Sequence, residues 1–261
     1  MTALFLLELA ALGFVGAFVT GLLGVGGAIV MIPLLLYVPP FLGIGSLGIK
    51  TVAAVTMVQV FAASLSGVLA HGRQQTVDRE LALFGGLSMA LASLIGAVSS
   101  KFVGERVLLG VFAVMATLAA PLMLLPVREP RSRVPGKDER VNRPAAAGLS
   151  AVVGFMAGLV GVGGAFLLVP ILIFALGVST HTAIGSSLAM TAISAFAGFI
   201  GKLATGQIPL APSVAVVVGA LPGAQVGAQL SRRIEAGLLR TLLAAIIILT
   251  AVRVWHDFLS R

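Results

Sequence analysis

Cysteine is absent from this 261-residue chain, so disulfides and thiolate metal sites are excluded and nothing marks its redox compartment. Charge is scarce as well: 10% of the residues are Asp, Glu, Lys or Arg, and only 9 are acidic. Soluble domains carry about 25% charged and about 45–50% apolar residues. This chain is 59% hydrophobic with a mean hydropathy of +1.12. So few charges cannot clothe a water-soluble surface, and the surplus apolar side chains must face lipid. Aromatics are few, with one Trp and one Tyr. No basic face interleaved with aromatics is present, which argues against nucleic acid as a partner despite the net charge of +8. No His, Asp and Glu cluster has metal-ligand spacing, there is no GxSxG elbow, and no span holds a pair of carboxylates. Neither an enzyme nor a bound cofactor or metal is expected.

What the chain does have is a succession of apolar runs, at 3–38, 47–70, 81–100, 106–126, 145–176, 183–204, 210–230 and 237–258. Most approach the ~20 residues that cross a ~30 Å hydrocarbon core as helix. The reading is an all-α polytopic protein of a bacterial inner membrane, with the bilayer as its first partner. The opening MTALFLLELAALGF lacks the basic n-region of a secretory signal and is read as an uncleaved first span. Between the fourth and fifth runs lies the charged, proline-bearing stretch Arg128–Pro144, which holds six of the 17 basic residues. It reads as a cytoplasmic linker by the positive-inside rule, dividing the chain into 1–127, 128–144 and 145–261.

The two outer parts are copies. GLLGVGGA at Gly21–Ala28 returns as GLVGVGGA at Gly158–Ala165, and Pro33 falls on Pro170 at the same displacement. Gly67 then matches Gly201, Gly72 matches Gly206, and Gly96-Ala97 matches Gly227-Ala228. An ordered series anchored by an eight-residue near-identity indicates duplication into two transmembrane repeats of four to five segments each, the usual plan of transporters with a midplane site. If each broken first segment crosses once the copies run parallel; if it crosses twice they are inverted. Lys and Arg content swings in opposite directions in the paired loops, favouring inversion: Arg73 and Arg79 against Lys202, then Lys101 and Arg106 against Arg232 and Arg233.

The first run is too long for one simple span, and its centre is GLLGVGG. Each glycine there weakens helix by about 1 kcal/mol, so the chain is expected to break into Thr2–Leu22 and Ala28–Tyr37, and again around Gly161. Unpaired backbone groups at membrane depth are tolerated only inside protein or beside a wet cavity. A helix restarting there presents free N–H groups and the positive end of its dipole, which suits an anion. Gly24, Gly26, Gly27, Gly161, Gly163 and Gly164 would let an oxyanion approach the backbone, although small residues also serve simple helix packing. The GVGGA pattern is followed by no Lys-Ser/Thr pair and preceded by no strand, so nucleotide-binding folds are set aside. Lys50, Thr51, Ser186 and Ser187 open the next segments. Their side chains can contact an oxyanion, cap a helix or, for Lys50, snorkel to the interface. Thr56, Thr191, Gln59, Gln225 and Gln229 read mainly as packing hydrogen bonds, and His71, His181 and the Trp255-His256 pair as interfacial. Glu8 is the carboxylate placed furthest inside an apolar run.

Together these features resemble the TauE/SafE family of sulfite and organosulfonate exporters, also grouped as toluene-sulfonate uptake permeases. The resemblance spans the chain apart from the linker. It is carried by the repeated GLxGVGGA with its trailing proline (Gly21–Pro33, Gly158–Pro170), by HTAIGSSLA at His181–Ala189, similar to H-x-A-x-G-T-S-L-A, and by AHGRQQTVD at Ala70–Asp78, similar to A-H-Y-R-x-G-x-V-D. Ser186 stands where the family shows threonine, Lys50 where it shows a small residue, and Gly72 where it shows an aromatic. Resemblance implies a secondary transporter, most simply an exporter, of sulfite or organosulfonates. The expected mechanism is alternating access where the two glycine breaks meet, with Thr51, Ser186, Ser187 and helix-start amides replacing the anion's hydration shell and Lys50 as countercharge. An anion channel and a non-transporting assembly factor are the competing classes. Monomer and homodimer both stay open.

Overall fold

The computed structural model describes residues 2–23, 28–71, 77–124, 142–231 and 236–260. Among the described residues the regular structure is entirely helical: α1 (Ala3–Leu23), α2 (Ala28–Phe41), α3 (Ile49–His71), α4 (Gly86–Ser99), α5 (Glu105–Leu124), α6 (Arg143–Val160), α7 (Ala165–Leu176), α8 (Thr180–Ala204), α9 (Leu210–Ser231) and α10 (Ala236–Ser260). A π-helical turn, Leu81–Gly85, leads into α4. Six of these helices are long and apolar enough to span a membrane. Thirty-odd large apolar side chains lie on the outside, among them Leu91, Ile95, Val218 and Leu249, as a lipid-facing surface requires. The chain is a multi-pass membrane protein.

Local chemistry explains the helix ends. The Asn142 side chain accepts from the Ala145 N–H at 3.3 Å to start α6, and Ser179 accepts from the Thr182 N–H at 3.4 Å to start α8. Gly177, left-handed at φ 65°, stops α7. Pro33 and Pro170 fall inside α2 and α7, each removing one helix hydrogen bond within a short piece.

Both broken segments turn back on themselves. A Cβ at Gly16 of α1 would strike the side chain of Met31 in α2, so α2 returns alongside α1 and does not continue its line. With 14 and 12 residues, α2 and α7 reach only about 21 and 18 Å, short of a full crossing. The contacts then sort the helix ends onto two faces. Phe5 lies against Gly45, Lys50 donates to the Lys101 carbonyl, Gln207 donates to the Ala97 carbonyl, and Arg106 stands over Phe258. These share one face, here the N-terminal face. Asp78 donates its N–H to Ser186, and Arg143 pairs with Glu80 on the opposite, linker face. Hence α1, α3 and α5 run toward the linker face with α2 and α4 returning, while α6, α8 and α10 run the other way. Five passes per half reverse the second half end for end.

The reversal shows at atomic level. A Cβ on Gly96 of α4 would meet the Phe155 carbonyl and the Leu159 N–H of α6; one on Gly227 of α9 would meet the Phe18 carbonyl and the Leu22 N–H of α1. Phe18 and Leu22 precede Phe155 and Leu159 by the displacement that relates the two GVGGA motifs. The first helix of each half thus packs on the fourth helix of the other, while α3 meets α8 and α5 meets α10. This arrangement is compatible with an inverted duplication. At the last of these seams Trp255 of α10 donates to the Thr117 hydroxyl of α5 at 2.9 Å.

Candidate functional site

The second glycine break sits inside the protein at mid-depth. Residues 161–164 leave the helix, with φ of 81° at Gly161, 67° at Gly163 and 80° at Gly164, and all four are buried. Only glycine takes this left-handed sequence without strain. Gly161 and Val162 still bond back to the Ala157 carbonyl. The N–H groups of Gly163, Gly164, Ala165 and Phe166 find no backbone acceptor among the described residues, since the first bonds of α7 begin with Leu167 and Leu168 donating to Gly164. A run of free amides at the positive end of a helix dipole is an anion-binding concavity. The Gly24, Gly26 and Gly27 break lies outside the described residues.

Its neighbours come from both halves. Gly161 abuts the Ala53 carbonyl of α3, and Gly163 abuts Val60 of α3 and Thr191 of α8. Val60 is about 16 Å along α3 from the N-terminal face, and Thr191 about 16 Å along α8 from the linker face. Together they mark the middle of a ~30 Å hydrocarbon core. Among the described residues Thr191, 1% exposed, has no partner for its hydroxyl, and Gln59, fully buried beside Val60, has neither amide atom bonded. Ser93 and Ser194, at similar depth on α4 and α8, are also buried, and their hydroxyls have no partner among the described residues. Unmade hydrogen bonds of buried polar groups cost roughly 1–3 kcal/mol each, so such a layer is costly unless water or a solute meets it. Thr56 bonds back to the Val52 carbonyl at 2.7 Å and stands apart from this set.

The other expected residues are placed elsewhere. Lys50 and Thr51 open α3 at the N-terminal face, where the Lys50 ammonium donates to the Lys101 carbonyl at 3.1 Å. Ser186 and Ser187 lie toward the linker face: Ser186 accepts the Asp78 N–H at 3.0 Å and Ser187 donates to the Ile184 carbonyl at 3.0 Å. Because the halves are reversed, equivalent helix starts fall on opposite faces, and the structure does not bring the two pairs together. Gln225 and Gln229 lie on the outer surface of α9. Glu8 has both carboxylate oxygens shielded and unpartnered among the described residues. Thr191 and Gln59 emerge here with free polar atoms, where the sequence suggests packing bonds; Ser93, Ser194 and the buried Lys202 carried no sequence signal beyond being polar.

Comparison with known proteins fits this architecture. The profile of the family described as sulfite exporter TauE/SafE matches residues 9–254. The chain belongs to the TauE/SafE family. It is similar to the probable membrane transporter protein YunE of Bacillus subtilis, 25% identical over 95% of this chain and 97% of that one. A probable membrane transporter protein of Xylella fastidiosa is 31% identical over 95% and 94%. The probable membrane transporter protein MJ0441 of Methanocaldococcus jannaschii is 22% identical over 90% of each chain. No solved structure matches the chain. A TauE/SafE membrane transporter of the bacterial inner membrane is what sequence, fold and relatives agree on.

Proposed function

We propose that this TauE/SafE transporter exports small anions, sulfite or organosulfonates, by alternating access at the layer where the second glycine break meets α3 and α8. The observation that carries the reading is the set of amides at Gly163–Phe166 that have no backbone acceptor among the described residues, buried at mid-depth beside the Thr191 hydroxyl, which has no described partner either. Four N–H donors, a hydroxyl and the Gln59 amide can replace much of an oxyanion's hydration shell without a fixed cation. By the sequence repeat, Gly24, Gly26 and Gly27 are the counterparts of Gly161, Gly163 and Gly164 in the first half, outside the described residues. Rocking of the halves about the α3–α8 contact would expose the layer to either face in turn. Thr51 and Lys50 would flank the path on one side, Ser186 and Ser187 on the other. The family description, sulfite exporter, supplies the substrate class. The abundance of basic residues in connections at the linker face supports a cytoplasmic assignment of that face by the positive-inside rule. Export of a monoanion from an inside-negative cell is then favoured by about 2.3 kcal/mol per 100 mV.

The test is efflux from liposomes holding the purified full-length protein and sulfite, under an imposed potential, with taurine, sulfoacetate, sulfate and lactate as competitors. Saturable, potential-sensitive sulfite efflux is expected. Conductance far above carrier turnover would make the protein a channel. No flux of any anion would overturn transport of this class and favour an assembly role.

A further inference from the structure

Lys202 belongs to the last turn of α8, not to the loop beyond it, and it is completely buried. Its ammonium donates to the Ser100 hydroxyl at 2.8 Å, and Ser100, 1% exposed, sits where α4 ends. Ser100 is also joined to the Gln207 amide oxygen at 2.9 Å, and Gln207 donates to the Ala97 carbonyl at 3.0 Å. Lys50 holds the very next residue, donating to the Lys101 carbonyl at 3.1 Å. Two cations are therefore tied to consecutive residues at one corner of the N-terminal face.

Among the described residues no carboxylate forms an ion pair with either of them. The only ion pairs among the described residues are Arg143–Glu80 and His256–Asp257, neither at this corner. Glu105 turns its carboxylate over Gly48 without reaching ion-pair distance of either ammonium, and Arg106 lies over the Phe258 ring 5.3 Å away. A single serine oxygen leaves most of a buried ammonium's hydrogen-bonding capacity unused. An uncompensated buried cation is among the most unfavourable groups a protein can hold. The α8 C-terminus contributes only about half a charge of relief. The first-turn amides of α3, which carry Lys50, also lack intrahelical acceptors and add positive potential here.

We propose that Lys202, Ser100 and Lys50 form a second anion site at the N-terminal face, distinct from the mid-depth layer, that takes a small oxyanion between the two ammonium groups. The occupant's size is fixed by chemistry: a tetrahedral or pyramidal oxyanion can accept from both ammoniums, while the Ser100 hydroxyl, donating to the Ala97 carbonyl at 2.7 Å, accepts from Lys202 and holds it in place. Its identity as the transported anion rests on the function proposed above; its existence rests on the cation pair alone. On the non-cytoplasmic side such a site would hold an anion that has just left the mid-depth layer.

The experiment is equilibrium dialysis of labelled sulfite and sulfate, with anion-dependent thermal unfolding, on purified full-length protein. Lys202→Met should weaken binding about tenfold or more, the scale of losing a charge-assisted contact, while without anion the variant unfolds no earlier than the parent. Lys202→Arg should recover binding. Lys50→Gln, at a partly exposed position, should weaken binding several-fold and decides the matter if Lys202→Met does not fold. Unchanged binding and unchanged anion-dependent unfolding in both neutral variants would overturn the site. Protein that binds in a Lys202-dependent way but transports nothing would overturn the transport reading and leave the site standing. Transport by wild type with no Lys202-dependent binding would do the reverse.

Discussion

Gly96 and Gly227 are buried against a neighbouring backbone, and so is Gly161, yet they serve opposite ends. The first two lie in continuous helices whose backbone groups are bonded, and their missing Cβ lets α4 sit on α6 and α9 on α1. Gly161, Gly163 and Gly164 stop a helix, adopt positive φ and leave amides at mid-depth without a backbone acceptor among the described residues. Packing glycine removes a steric obstacle; breaking glycine creates unmet polarity. In a bilayer the first is a common stabilising device, while the second is tolerated only where protein or water encloses it. The same residue type therefore marks both the frame and the site, and only the hydrogen-bond inventory separates them.

The largest expected effect breaks the frame. Gly227→Leu drives a side chain into the Phe18 carbonyl, an obstacle that no rotamer change removes. Overpacking costs about 1–3 kcal/mol where side chains can yield, and more here, so folded yield by size-exclusion chromatography should collapse. Gly96→Leu should do the same at the equivalent seam. If either variant folds and transports normally, the two seams are not the frame.

Next come the breaking glycines. Gly164→Ala places a Cβ on a residue at φ 80° and near Met89, Val153 and Ala157. Left-handed strain of about 1–2 kcal/mol is expected, small enough to leave folded protein. On the function proposed above, sulfite efflux should nevertheless fall at least tenfold, because that proposal makes the amides it orders part of the site. Equal losses of stability and flux would assign Gly164 to the frame instead.

A sharper separation uses the unpaired groups. Thr191→Val and Gln59→Leu replace groups with free polar atoms by apolar ones of similar shape. Removing a buried unsatisfied group is near neutral or stabilising, by about 1 kcal/mol, so thermal stability should hold or rise. Flux should drop several-fold or more. A fall in stability would show that these side chains are bonded within the fold and serve packing, as their sequence context suggests.

Much of this was legible beforehand. Low charge and recurring apolar runs mark the membrane, and the eight-residue repeat marks both the duplication and the break, whose second copy ends at Val160 and restarts at Ala165. Loop charge favours inversion only weakly, and the contacts at Lys50, Gln207, Ser186 and Arg143 are compatible with it. The π-helical turn at Leu81–Gly85 leaves almost no trace in side-chain periodicity. Lys202 reads as a loop residue because a lysine beside glycine, threonine and glutamine looks like an exit from the membrane. Its burial depends on α4, more than a hundred positions away. Whether Thr191 or Gln59 is bonded is likewise a tertiary fact, set by which side chains other helices bring near.

The smallest expected effect tests the rim against the middle. Arg143 and Glu80 form a bidentate pair at 2.7 Å across the linker face, with side chains 58% and 62% exposed. Water and salt screen such a pair, and exposed bridges contribute about 0–1 kcal/mol. The guanidinium also lies 5.4 Å from the Phe84 ring centre, so its loss removes a little packing as well. Arg143→Gln should shift thermal unfolding by a degree or two and leave sulfite efflux within about twofold of wild type. Polar contacts at the rim exchange readily with water, whereas those at mid-depth have no such alternative. A large transport defect in Arg143→Gln would mean that the α4–α6 contact at this face moves during the cycle, and would shift the proposed rocking from the α3–α8 contact to that seam.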